Sequence, residues 1–182
     1  MARGQLFVLV GTTGAGKTEL SRRILQAIPG LQRVRSCTTR TRREGEPEDA
    51  YHFLTREEFL AQVEAGRFVE HDEFGGNLYG RRFEDFHKLG HHALKLADMT
   101  ESGVLALQAR PEEFPLVCIK ITPVNKTRTA RDDERAADDA KRRHVAIRVD
   151  HEILNDHGSP DGLANAYREF HRILETTLFP EG

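Results

Sequence analysis

The chain has 182 residues, which suits one domain with small appended parts. A hydrophobic share of 38% and a charged share of 31% describe a globular protein, and a net charge of −2 supplies no general attraction to nucleic acid or to anionic membrane. Cys37 and Cys118 cannot form a disulfide framework and lack metal-ligand spacing, and no stretch approaches the roughly 20 apolar residues that span a bilayer, so a reducing cytoplasm is the expected setting.

The run Leu6-Phe7-Val8-Leu9-Val10, too short for a secretory leader, reads as a buried strand over 5–10. Glycines follow, and Leu20, Ile24, Ala27 and Ile28 then share one face of a helix that Pro29-Gly30 stops. The arginine-rich stretch 33–48 shows neither helical nor strand period. A short strand over 51–54 precedes a helix over 56–64, with Thr55 as cap and Glu58 in the capping-box position. A hairpin follows around Gly75-Gly76-Asn77. Strands are expected over 93–97, 116–121 and 152–154, with a terminal helix over 160–178 capped by Ser159. Between Thr127 and Arg148 the chain is mostly charged residues and alanine, which reads as a solvated helix. Alternating strands and helices predict an α/β fold with a mostly parallel sheet.

Between the first strand and first helix, Gly11-Thr12-Thr13-Gly14-Ala15-Gly16-Lys17-Thr18 matches the phosphate-loop pattern in the context it requires. The glycines let backbone N–H groups wrap phosphate oxygens. Lys17 is the candidate for the β- and γ-phosphates of ATP, and the Thr18 hydroxyl is the candidate Mg²⁺ ligand. This loop names a phosphoryl donor but not an acceptor.

The acceptor is sought in 36–46, where Arg40, Arg42 and Arg43 lie among small hydroxyl residues; paired guanidiniums grip phosphate well. Downstream lie Tyr51 and Tyr79, phenol donors, and Glu70, a carboxylate that can accept the adjacent N1–H and 2-amino donors of guanine. His71, His87, His91 and His92 supply no convincing metal-ligand set and read as surface residues.

Ser36-x-Thr38-Thr39-Arg40-x-x-Arg43-x-Gly45-Glu46, then Tyr51-x-Phe53, Gly66-x-Phe68-x-Glu70 and Gly76-Asn77-x-Tyr79-Gly80 together resemble guanylate kinase. The resemblance is clear over 11–80 and weaker toward the C-terminus. It implies a three-layer phosphate-loop core (1–35, 91–123 and 150–182), a small mixed-sheet acceptor lobe (36–90) and a helical lid (124–149). It also implies ATP and a nucleoside monophosphate as substrates, GMP or dGMP first. In it Arg40, Arg43, Tyr51 and Tyr79 hold the acceptor phosphate, while Ser36 and Glu70 read guanine.

The chain departs from the family at several points. Arg42 stands where proline is usual, and the segment between Glu46 and Tyr51 is shorter. Arg81 replaces a serine or threonine beside the base; it is expected either to recognise guanine or the acceptor phosphate, or to fill the pocket. Of the family's Asp-x-Asp-x-Gln-Gly, only Asp98 remains in Asp98-Met99-Thr100-Glu101, as a candidate for the base, for Mg²⁺ or for the fold alone. The lid stretch is shortened. Matching it backwards from Asp150 selects Arg135, whereas matching its entry at Arg131-Asp132-Asp133-Glu134 selects Arg131 and Arg142 and keeps the spacing between two lid arginines. Two other functions are compatible with these features: a related kinase for another (d)NMP or small phosphorylated acceptor, and a non-catalytic binding module. The intact Gly16-Lys17-Thr18 opposes the second.

Overall fold

In the computed structural model, which describes residues 4–87, 93–126 and 145–180 (residue 74 by its backbone alone), β1 (Leu6–Val10) is the middle strand of a five-stranded parallel sheet. Its order is β2 (Leu31–Arg33), β7 (Leu94–Asp98), β1, β8 (Leu116–Val124), β9 (His151–Asp156). Every residue of β1 is buried because both sheet faces are covered. Phe7 and Leu9 enter a core with Leu20 and Ile24 of α1 (Lys17–Ala27) and with Ala166, Phe170 and Ile173 of the terminal helix α5 (Gly162–Leu178). Leu6, Val8 and Val10 point the other way, toward Val104 and Leu107 of α4 (Glu101–Gln108) and toward Phe86 and Phe114. One strand with a period of two thus builds both halves of a three-layer core.

Between β2 and β7 the chain forms a second, four-stranded mixed sheet. Its order is β4 (His52–Phe53), β3 (Cys37–Thr38), β6 (Asn77–Arg82), β5 (Phe68–Phe74). Strands β3 and β4 run parallel, and the other pairs are antiparallel. Cys37, Phe59, Phe68 and Leu78 form a separate core here, with Phe59 from α2 (Arg56–Glu64) stacked on Phe68 at 4.4 Å. Both halves of the expected capping box are present at Thr55 and Glu58. A short helix α3 (Phe83–His87) closes this part, and Arg82 forks onto buried Asp85 at 2.8 and 2.9 Å.

Several expectations need correction. Helix α1 starts at Lys17, so the phosphate-loop lysine and threonine form its first turn. Helix α5 starts at Gly162, and Ser159 does not cap it: the Ser159 hydroxyl instead accepts the Asp161 N–H at 3.2 Å in a local turn. Strands β8 and β9 extend beyond 116–121 and 152–154, because they pair with each other in register from Ile119↔His151 to Val124↔Asp156. The stretch 33–48 contains β3, whose two residues are fixed by partners remote in sequence. Helices α3 and α4 were not expected from the sequence.

Candidate active site

Strands β1, β7 and β9 all deliver their following residues to the C-terminal edge of the parallel sheet, where α/β folds gather ligand-binding groups. There β1 gives way to Gly11, and α1 begins at Lys17 with an open N-terminus that no side chain caps. Gly16 holds φ 87°, and a Cβ on it would collide with the buried amide of Asn155. Asn155, from the end of β9, donates to the Ala15 carbonyl at 2.9 Å and props the loop from beneath. The Lys17 ammonium donates to the carbonyls of Gly11 at 2.5 Å and Thr12 at 2.9 Å, so it lies across the mouth of its own loop. Thr18 is exposed in the same turn.

On the small sheet, Tyr51, Tyr79 and Arg40 come together. The Tyr51 ring lies 6.5 Å from Tyr79 and 5.9 Å from Phe53, and the Arg40 guanidinium stands 5.4 Å from its centre. Arg33, from β2, approaches the same ring at 5.9 Å. Arg40 is not free: its NH2 donates to both Glu46 oxygens at 2.7 and 3.0 Å, and its NH1 donates to the Thr41 carbonyl. The hydrogen bond to Glu46 raises the pKa of Arg40, and the hydrogen bonds that Glu46 accepts from Arg40 and from the Arg43 N–H lower that of Glu46. Arg43 itself is exposed and makes no ion pair among the described residues. Ser36 is buried at the entry to β3.

The third cluster joins the two sheets. Gly75 and Gly76 both take positive φ, which makes a two-residue hairpin turn and sets Glu70 of β5 opposite Arg81 of β6. Arg81 donates through NH1 to Glu70 Oε1 at 2.7 Å and through NH2 to Asp98 Oδ1 at 2.9 Å. The other Glu70 oxygen accepts the Thr100 N–H at 3.0 Å and the Thr100 hydroxyl. Thr100 is in turn the cap of α4, accepting from Gly103 N–H at 3.2 Å. Burial opposes the charge on Arg81, but Asp98 and Glu70 outweigh it and raise its pKa. The Arg81 and Glu70 side chains are only 9% and 8% exposed, so this is a desolvated ion pair, of the kind whose disruption costs about 3–5 kcal/mol.

Thirteen of the expected site positions thus gather around one sheet edge and the neighbouring face of the small sheet, the eight residues of the loop together with Tyr51, Tyr79, Arg40, Glu70 and Asp98. Arg81 bonds to the two carboxylates rather than standing ready for an incoming phosphate. Arg131 and Arg142, with the alternative Arg135, lie outside the described residues. Sequence reasoning missed Glu46 and Thr100 as direct partners of Arg40 and Glu70, and Arg33 beside Tyr51. The two-glycine turn was the signal for the Glu70–Arg81 pairing; Arg33 had none.

The guanylate kinase family profile matches residues 3–175. A guanylate kinase of Rubrobacter xylanophilus is 32% identical over 161 residues, covering 86% of this chain and 83% of the relative. A guanylate kinase of Hahella chejuensis is 49% identical over 81 residues, covering 44% of this chain and 39% of the relative. Among solved structures, a guanylate kinase from Anaplasma phagocytophilum shares the fold with a TM-score of 0.67 at 24% identity, covering 98% of this chain and 88% of that one.

Proposed function

This chain belongs to the guanylate kinase family, and from that premise we propose that it catalyses ATP + GMP → ADP + GDP, with dGMP in the same acceptor class. The observation that supports this most is a phosphate loop beside a small sheet that carries two tyrosines against an arginine and, on its paired strands, a carboxylate tied to the end of β7.

A phosphate monoester oxygen is already a competent nucleophile, so the chain has to align and neutralise rather than abstract a proton. That oxygen attacks the γ-phosphorus in line, and the bond from γ-phosphorus to the bridging oxygen breaks to leave ADP. Lys17 exchanges its Gly11 and Thr12 carbonyls for β- and γ-phosphate oxygens. The exposed Thr18 hydroxyl, a hard oxygen donor beside Lys17, fits a Mg²⁺ ligand. When bound, Mg²⁺ supplies further charge neutralisation on those oxygens. Arg40, Arg43, Tyr51 and Tyr79 are assigned to the acceptor phosphate, Ser36, Glu70 and Asp98 to the base, and Arg131 and Arg142 to a lid over ATP. The corresponding parts are the core (1–35, 91–123, 150–182), the acceptor lobe (36–90) and the lid (124–149). A reducing cytoplasm suits the two buried free thiols.

Because Arg81 occupies part of the carboxylate that should read the base, a second acceptor has specific support: another (d)NMP or small phosphorylated molecule. Coupled ADP release, measured with ATP and Mg²⁺ across the NMP and dNMP panel, decides between them. GMP and dGMP should give the highest kcat/KM. The proposal fails if GMP yields no ADP above the acceptor-free rate, or if another acceptor is preferred by about ten-fold or more.

A further inference from the structure

A carboxylate offers about four lone-pair positions to donors. Glu70 has three of them filled within the chain itself: one on Oε1 by Arg81 NH1, and two on Oε2 by the Thr100 N–H and hydroxyl. These partners are held in place. Arg81 is anchored at its other end on Asp98, and the Thr100 hydroxyl also caps α4. Arg81 and Thr100 stand at two of the positions where the sequence leaves the family pattern.

We propose that Arg81 and Thr100 leave Glu70 able to accept a single donor from the base, so that the pocket selects 6-oxopurine nucleoside monophosphates as a class and weighs the 2-amino group little. The inference rests on the assignment of Glu70 to the base. Guanine presents two adjacent donors, N1–H and the 2-amino group; hypoxanthine presents N1–H alone; adenine presents an acceptor at N1. One open lone pair aimed at N1 accepts N1–H from either oxopurine but faces an acceptor in adenine, whose 6-amino donor stands where the oxopurines carry their 6-oxo oxygen. Arg81 Nε–H is buried and has no partner among the described residues, and a 6-oxo oxygen is the acceptor that guanine and hypoxanthine share. Toward the 2-amino group Arg81 acts only through Glu70, by filling one of its lone pairs; its Nε–H serves the 6-oxo oxygen that both oxopurines carry and so does not change the GMP:IMP ratio.

The test is kcat/KM for GMP, IMP and AMP with saturating ATP and Mg²⁺, in the wild-type chain and in Arg81→Ser, Arg81→Lys and Thr100→Ala. A carboxylate holding both guanine donors should reject the analogue lacking one by about 10²-fold or more. The expected wild-type preference for GMP over IMP is below about 30-fold, with AMP at least about 10²-fold worse than IMP. Arg81→Ser and Thr100→Ala each free a lone pair and should widen the GMP:IMP ratio by about three-fold or more, with KM for ATP unchanged. Arg81→Lys, which keeps a cationic donor on Glu70, should stay near the wild-type ratio. Thermal unfolding identifies a variant that does not fold; if Arg81→Ser is one, Thr100→Ala decides alone. A wild-type ratio above about 30-fold, AMP turnover equal to IMP, or a ratio that the folded variants leave unmoved overturns the proposal. Preference for an acceptor other than either oxopurine would instead sink the guanylate kinase reading itself.

Discussion

Gly103→Ala sets two effects of opposite sign against each other. Gly103 lies in the first turn of α4, and replacing glycine by alanine in a helix ordinarily stabilises it by up to about 1 kcal/mol. Here, however, the new Cβ would meet the Glu70 carboxylate, with Cδ at 2.7 Å, and Met99 Cε at 2.8 Å. Glu70 must then leave Thr100, and hydrogen bonds to a charged group are worth about 1.5–3 kcal/mol each. After the helix gain and partial rescue by water, the net loss should be about 2 kcal/mol, a fall in Tm of about 4–8 °C for a chain of this size. Because the displaced group is the base-reading carboxylate, KM for GMP should rise about ten-fold or more, while KM for ATP holds within about two-fold. Scanning fluorimetry and initial-rate kinetics measure both quantities. The control is the same change in a Glu70→Ala background, where the carboxylate is gone and only the flexible end of Met99 has to shift, so the fall in Tm should disappear. A rise in Tm in the wild-type background with KM for GMP unchanged would refute the account of this contact.

Three further outcomes follow from the site. Lys17→Ala should lower kcat by at least about 10³-fold, roughly 4 kcal/mol, with little change in Tm, because the Lys17 ammonium bonds to carbonyls of its own loop and is asked to stabilise the transferring group; retention of about a tenth of the activity would rule that role out. Arg40→Ala should raise KM for GMP more than Arg43→Ala does, since Arg40 is also held against Tyr51 and Glu46 whereas Arg43 is exposed; an equal rise in KM for ATP would remove both from the acceptor side. Burial, reinforced by Asp150, pushes the Cys118 thiol up to about 11, so at pH 8 it is almost wholly protonated and should react with an aromatic disulfide reagent only after unfolding; rapid labelling of the native chain at Cys118 would contradict this.

What the sequence revealed divides by the range of the forces involved. The phosphate loop and the Thr55–Glu58 capping box are local patterns, and both elements were legible from neighbouring residues. Strand β3 was not, because Cys37 and Thr38 are made a strand by partners at His52, Phe53, Tyr79 and Gly80. Helix α4 was hidden by Ser102-Gly103, a helix-weakening pair whose glycine serves the Glu70 carboxylate rather than the helix. Glu70, Arg81 and Asp98 were each singled out, yet their mutual bonding was not read. It depends on the turn containing two glycines rather than three residues, and a one-residue slip would have turned Arg81 to the other face of the sheet.

The strands that flank the small sheet in sequence, β2 and β7, are hydrogen-bonded neighbours, and the Val34 N–H still donates to the Leu96 carbonyl at 2.9 Å where the chain departs. Everything between them therefore leaves and re-enters the parallel sheet through adjacent points, as a detour with closed ends and a hydrophobic centre of its own. Such a detour can be lengthened, shortened or exchanged at little cost to the sheet, since closing a longer loop adds only about 0.6 kcal/mol per doubling. Redesign of the acceptor can accordingly proceed by cassette replacement within this excursion, with one condition attached. Asp98 and Thr100 belong to the receiving side, so an incoming cassette without a cation opposite Asp98 would leave that carboxylate without the guanidinium that now neutralises it.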